Sequence, residues 1–550
     1  MNFFRNVFQF ELAKNLRDIT SEHRSAAIFI PFSGLREVGR PRRCLRTAAH
    51  PTINRLGLGM DRVSYHAALD LPKQRCSSVI CYSQKTMHLL SERVVKRLCV
   101  LVLIVLWFVD GGTLGAQQAA TAPAAAAQPK VNNAEFAATA NEVLQQVSEI
   151  TGLKLLAPVK KTLRSRDEIR AYVIREMDEE KKPAERYAEA RSAEAFGLLP
   201  KGFDLDNFMI DLLTEQIAGL YDPKAREFYI ADWIPLEDQR MVMAHELTHA
   251  LQDQHFQIEA WEKAARPNDD AELAREAVLE GSAMAAMMDY LLKGTGHSVE
   301  DLPIDPSMFA GDMSKSPKLQ EAPPFLKDAM IFPYFGGLTF STAILKPGGW
   351  NGLAAVFGKP PLSTQQIMHP ALYKSGQAPA QVTIPSFEKL LGPEWTKIDE
   401  NVMGEFGWKE ILKQFLGEER ATPLAAAWNG DSYVLYEEKQ TKRLILMARL
   451  RLDKEEAAGR FFGQYAEALE KKYGVHENAP RSSNFFSFET LDGGVFLRCV
   501  GTECISVEGT SRTVFDGING MIGWPAAPAA SKAADTASGL AVNAVAFAKR

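Results

Sequence analysis

The chain has 550 residues, 46% of them hydrophobic and 24% charged, with a formal net charge of −5. That length sets an expectation of two or three globular domains. The charge leaves no basic footprint for nucleic acid, and 29 prolines and 38 glycines spread along the chain fit no fibrous or wholly disordered class.

The first chemical signal is near the start. Arg93, Lys96 and Arg97 precede an apolar run from Leu98 to Val109, followed by Gly111-Gly112 and Leu114-Gly115-Ala116. This is the layout of a signal peptide over 87–116, opening at Met87 and cleaved before Gln117. Residues 1–86 then read as a gene-start artefact. The alternative is a cytoplasmic tail before a single uncleaved anchor, although a run over 98–109 is short for a bilayer. The expectation is export to the periplasm or medium, with membrane contact only if 98–109 stays in place. Cys44, Cys76, Cys81 and Cys99 precede the cleavage point, which leaves Cys499 and Cys504 to pair across a hairpin in an oxidising compartment. Beyond residue 116 the net charge is −14, from 46 Lys/Arg against 60 Asp/Glu. A surface this acidic does not favour anionic lipid.

Residues 117–131 are an Ala/Pro/Gln linker. A helical pattern runs from about Asn133 to Ile150. Ser165-Arg-Asp-Glu168 reads as a capping box opening a second helix, and another ends before Gly197. Leu205 to Gln216 is helical. The period then changes to two: Ile217–Asp222 and Arg226–Ala231 flank Pro223-Lys-Ala225 as a hairpin. Long helices follow over Leu236–Phe256 and Ala271–Leu292. Residues 301–375, rich in Pro, Gly and aromatics, read as irregular with short helices. From about Asp431 the texture changes again. Ser432–Glu437 and Arg443–Arg451 are strands, Lys454–Tyr473 a helix, and Asn484–Glu508 more short strands. The expected architecture is α+β: a mostly helical domain over 132–415 with a small antiparallel sheet, a small α+β domain over 420–515, and an Ala-rich disordered tail over 516–550.

The central motif is His245-Glu246-Leu-Thr-His249. On a helix, positions four apart share a face, so both imidazoles can reach one ion. Glu246 follows the first histidine and stands where it can take a proton from a metal-activated water. Chance gives such a pentad in on the order of one chain in a hundred of this histidine content. A surface helix would show a polar setting, yet the pentad lies among Val242, Met243, Ala244, Leu247, Ala250 and Leu251.

A third ligand is needed, and the residues leave several candidates. His255 has the spacing of a metzincin third histidine, but that motif breaks its helix with glycine where Gln252 stands. On an unbroken helix His255 lies about 240° round and about 9 Å along from His249, out of reach. Glu280 sits on the following helix among Ala, Met, Leu and Val, where a bare carboxylate is costly to bury unless paired or metal-bound. Glu276 is the fallback ligand. Glu272 and Glu276 otherwise read as surface charges, solvated or paired with Arg275. A donor for a developing oxyanion is sought among His369, Tyr373 and Tyr334, with core packing the plainer role for Tyr334.

Glu280-Gly-Ser-Ala283 resembles the E-G-x-A context of the glutamate ligand in gluzincin-type zinc peptidases. The chain more closely resembles a group of uncharacterised bacterial and archaeal metallopeptidases. The match rests on Glu215-Gln-Ile-Ala-Gly-Leu-Tyr-Asp-Pro223, on His245-Glu-Leu-Thr-His-Ala-Leu-Gln-Asp-Gln-His255 and on Glu280-Gly281. It extends to Gly348-Gly-Trp350 and Ser363-Thr-Gln-Gln-Ile-Met-His369-Pro-Ala-Leu-Tyr373. The resemblance covers about residues 150–415. It implies a zincin-like domain with zinc held by His245, His249 and Glu280, Glu246 as general base, and a peptide or protein substrate. It also implies that the hairpin before the motif helix offers an edge strand to extended peptide. That group usually carries aspartate where Ser282 stands, which opens the question of what supports the ligands there. Two rival readings are a non-catalytic protein with a structural metal site and a zinc hydrolase of cell-wall peptide or ester.

Overall fold

The structure is a computed structural model that describes residues 133–303, 316–475 and 481–528. The leader at 87–116, the chain before it, the 117–131 linker, four of the cysteines and residues 529–550 lie outside the described residues. Among the described residues no helix is long and apolar enough to cross a membrane.

The chain opens with α1 (Asn133–Thr151), β1 (Lys160–Arg164) and α2 (Arg166–Glu180). The capping box forms as expected. Ser165 accepts the Glu168 amide, and Glu168 accepts the Ser165 amide at 2.8 Å. Next come α3 (Pro183–Phe196), ended by Gly197 at φ +80°, and α4 (Leu205–Gln216). The hairpin is β2 (Gly219–Asp222) and β3 (Glu227–Ala231), antiparallel. β1 joins it as a third strand, parallel to β3, giving the order β1-β3-β2. The sheet of this domain is therefore mixed rather than purely antiparallel. β1 escapes a sequence reading because Lys160-Lys-Thr-Leu-Arg164 carries three cations and one aliphatic side chain.

α5 (Leu236–Phe256) runs unbroken through Gln252 and stops at Gln257, φ +51°. After α6 (Ile258–Lys263), α7 (Asp269–Leu292) starts from an Asn268 cap. α5 and α7 are packed together, with α1 against both. α8 (Pro317–Glu321) leads to α9 (Pro324–Ala355), a 32-residue helix kinked at Gly349. This corrects the irregular reading of 301–375 over 324–355, while the short helices expected there do flank it. Pro333, Pro347 and two glycine pairs look like breakers, but one of those glycines, Gly337, serves packing against Gly281 of α7. A Cβ on Gly281 of α7 would lie 1.9 Å from the Gly337 carbonyl carbon, and one on Gly337 would lie 2.0 Å from the Ala277 oxygen. Glycine at both places lets the two helices cross backbone to backbone. α10 (Thr364–Met368) and α11 (Pro370–Ser375) complete this part.

The C-terminal part begins earlier than 420. α12 (Glu388–Leu391) precedes β4 (Trp395–Asn401), which pairs with β5 (Trp428–Glu438) across α13 (Gly404–Leu416) and α14 (Glu418–Ala425). β6 (Leu444–Leu452), α15 (Glu455–Tyr473), β7 (Phe485–Thr490), β8 (Gly493–Val500), β9 (Glu503–Thr510) and α16 (Arg512–Met521) follow. The sheet is antiparallel with order β4-β5-β6-β9-β8-β7. One face is covered by Trp408, Phe461, Tyr465 and Leu469, the other by Phe387, Phe515 and Ile518. Ordered chain thus passes 516: α16 reaches Met521, and Arg498 reaches the Pro525 carbonyl at 2.6 Å. Cys499 and Cys504 face each other between β8 and β9 and form a disulfide, Cα to Cα 4.0 Å. The architecture is α+β.

The helix crossing yields a test. Gly281→Ala forces a methyl into the Gly337 backbone and should cost on the order of 3 kcal/mol. A denaturant midpoint equal to that of the unmodified chain would show that the crossing is not tight.

Candidate metal centre

His245 and His249 leave one face of α5, and Glu280 meets them from the middle of α7. His245 Nε2 lies 3.0 Å from His249 Nε2 and 3.0 Å from Glu280 Oε2, and His249 Nε2 lies 3.6 Å from the same oxygen. One ligand atom from each residue lies within 4.8 Å of the other two, and all three side chains are at most 1% exposed. Burial by itself raises the Glu280 carboxyl. The His249 and His245 imidazoles beside it outweigh that and bring it to about 2. Two imidazole nitrogens and one carboxylate oxygen at this spacing are a donor set that could hold a metal ion.

Glu246 lies on the same helix, also buried, and its Oε2 accepts the Tyr221 amide at 2.7 Å. The direction of that amide follows from the hairpin. Ala231 donates to the Ala218 carbonyl, so 218, 220 and 222 bond to β3 while Gly219 and Tyr221 turn their amides the other way. β2 is an edge strand among the described residues, and its outward amide fixes one oxygen of Glu246. The Tyr221 hydroxyl reaches back to Asp253 at 2.8 Å, which ties the strand to α5.

The other candidates lie elsewhere. His255 bonds the Lys154 carbonyl at 2.7 Å, because the unbroken helix turns it away. Glu276 and Glu272 are buried rather than exposed as expected for surface charges. Glu272 pairs with Arg266 at 3.0 Å. Burial, with Glu262 nearby, pushes Glu276 well above the usual carboxylate range, and it is not among the clustered ligands. Arg275 instead donates to the Trp261 carbonyl. His369 pairs with Glu405 at 2.7 Å, and Tyr373 donates to the Lys359 carbonyl at 2.7 Å, so neither makes a hydrogen bond to the cluster. It is Tyr334, buried on α9, whose ring lies beside that of His245, 6.2 Å between centroids.

The motif around His369 has a different role. Thr364 donates its amide at 3.1 Å and its hydroxyl at 2.5 Å to Asp270, at the start of α7. Gln365 bonds the Trp428 carbonyl at 2.5 Å, and Gln366 the Gln377 carbonyl at 2.6 Å. The segment fastens the helix that carries Glu280 to the C-terminal sheet. The Gly348-Gly-Trp350 motif sits at the α9 kink, Gly349 at φ +56°, and Trp350 then lines a cavity of about 20 Å³ with Gln252 and Ser282. Sequence reasoning did not find the Tyr221–Glu246 bond, nor the chain from His249 to Gln252 to Ser282. A polar residue one turn past the second histidine is the only signal for the latter.

Residues 390–519 match the family model described as Domain of unknown function (DUF8575). No curated protein and no solved structure matches the chain. The match coincides with the C-terminal sheet and its helices, and does not include His245, His249 or Glu280.

Two outcomes follow. His245→Ala and Glu280→Gln should each weaken metal binding on the order of a hundredfold or more, while His255→Ala leaves it unchanged. Equilibrium dialysis with zinc checks this, and the reverse ranking would move the third ligand to His255. Burial, with Asp431 and Glu405 nearby, raises Asp270 from 3.8 to about 7. The folded value lies above the unfolded one, so the contribution of Asp270 to stability is full below about pH 4 and is lost as pH rises through 7. Asp270→Asn should gain on the unmodified chain by on the order of 2–4 kcal/mol between pH 4 and 8. A urea-midpoint difference that stays flat over that range contradicts the burial cost.

Proposed function

We propose that the chain is an exported zinc-dependent peptidase, with His245, His249 and Glu280 as metal ligands and Glu246 as general base. The observation that carries the reading is Glu246 itself. A purely structural ion has no use for a carboxylate on the ligand helix, buried next to His245 and held in place by the Tyr221 amide. Zinc, when bound, polarises water and the scissile carbonyl. Glu246 takes the proton of that water at its carboxylate and returns it to the leaving amine nitrogen. The Tyr221 amide is taken by Glu246, so an extended peptide pairing with β2 would use the outward Gly219 amide and the Gly219 and Tyr221 carbonyls. Tyr334, its ring 6.2 Å from that of His245 between centroids, is the candidate to donate to a developing oxyanion.

One observation favours the rival of a structural ion. His245, Glu246, His249 and Glu280 are all at most 1% exposed, and so is Leu220 of the edge strand. Substrate therefore reaches the site only after something covering it moves. Glu246→Gln separates the two readings, because it removes the proton acceptor and leaves the ligands. A peptidase keeps its zinc and loses hydrolysis of a mixed peptide pool by several orders of magnitude. Equal product by mass spectrometry from Glu246→Gln and the unmodified chain would sink the role of Glu246. A zinc-loaded protein that cleaves nothing, yet loses thermal stability on chelation, supports the structural ion.

A further inference from the structure

The hydrogen bonds behind His249 run in one direction only. Ser282 donates its hydroxyl proton to the Val278 carbonyl at 2.6 Å, one turn back on α7. Its oxygen is thus left as an acceptor, and the Gln252 group 2.7 Å away must be the amide NH2. The Gln252 carbonyl oxygen then faces His249 Nδ1 at 2.9 Å. A carbonyl only accepts, so Nδ1 carries a proton, and the neutral ring, the form that binds metal, then keeps its lone pair on Nε2. Nε2 is the atom that lies 3.0 Å from His245 Nε2 and 3.6 Å from Glu280. We propose that Gln252 and Ser282 are positioning residues, a buried relay that sets the tautomer and ring orientation of His249 for metal binding. This rests on the metal-centre reading above.

Burial strengthens the relay. Gln252 and Ser282 are each 2% exposed, so water does not compete for these bonds, and a reversed amide would set NH2 against Nδ1–H and oxygen against oxygen. The relay also ties the two ligand-bearing helices, since Gln252 is on α5 and Ser282 two residues past Glu280 on α7. A histidine bound to metal ordinarily gives its second N–H to a carboxylate or carbonyl, and a glutamine carbonyl held by serine serves here. Beside the pair is the cavity of about 20 Å³ lined by Thr248 and Trp350, into which a slightly larger side chain at 282 can extend.

The test uses zinc affinity, by chelator competition, and the visible bands of the cobalt-substituted protein. Gln252→Leu should weaken zinc about 10- to 100-fold and alter the cobalt bands. Gln252→Glu keeps the shape and the acceptor facing Nδ1–H, and should restore both. Ser282→Ala leaves the glutamine free to turn over and should give an intermediate loss. Ser282→Asp, which still accepts from the amide, should not. Leu and Glu variants that lose zinc equally would show that packing, not hydrogen-bond direction, matters at 252, and would overturn the relay. So would a Leu variant with unchanged affinity and cobalt bands. If the unmodified protein holds no zinc or cobalt, the metal centre itself falls, an outcome distinct from the failure of the relay.

Discussion

Glu280 is a carboxylate with no solvent exposure, on a helix whose neighbouring side chains are alanine, methionine, leucine and valine. A buried anion is tolerated only where positive or hydrogen-bonding partners meet it. Here the partners are the imidazoles of a second helix, which hold the carboxyl near 2 against the pull of burial. Much of the domain can be read as the means of bringing those two helices together. The Gly281–Gly337 crossing lets α9 lie against α7 with no side chain between them. The Asn268 cap and Thr364 bonds hold the start of α7, and the Tyr221 amide and hydroxyl attach the edge strand to α5.

The glycine after Glu280 illustrates how a motif can serve packing and chemistry together. A side chain on Gly281, the residue next to Glu280, would run into the Gly337 backbone of α9. The His369 segment shows the opposite case. It carries a histidine, a tyrosine, two glutamines and a threonine, the residue types of a catalytic loop, and spends most of them on docking. Thr364, Gln365 and His369 all meet partners around the junction with the C-terminal sheet. That junction is also acidic: Asp270, Glu405 and Asp431 are buried close together, and His369, its pKa raised by the hydrogen bond to the Glu405 carboxylate, pairs with one of them. The C-terminal sheet is thus attached to the first residues of the helix that carries Glu280.

The elements with strong local periodicity were legible before any coordinates. α4, α5 and α15 begin and end within a residue or so of their expected bounds, and the Ser165 capping box forms as its spacing requires. Elements whose composition disguises them were not. β1 is too charged to look like a strand, and α9 too rich in proline and glycine to look like a helix. β4 is mostly polar, and its place in the six-stranded sheet depends on pairing with a strand that begins some thirty residues later.

The same division holds at the site. The sequence by itself determined that His245, Glu246 and His249 share one helix, because a spacing of four on an unbroken α-helix is a local property. The same geometry turns His255 away only if the helix continues past Gln252, and the structure shows that it does. Only the tertiary structure decided which of Glu272, Glu276 and Glu280 meets the imidazoles. Successive turns of one helix look alike until a partner helix selects among them, and the crossing of α5 with α7 brings Glu280 to 3.0 Å. Only the tertiary structure, too, placed Tyr334 rather than His369 or Tyr373 near His245, and aligned Gln252 with Ser282. Those pairings join residues 30 to 90 positions apart, and nothing local in the chain encodes the direction in which a distant side chain will arrive.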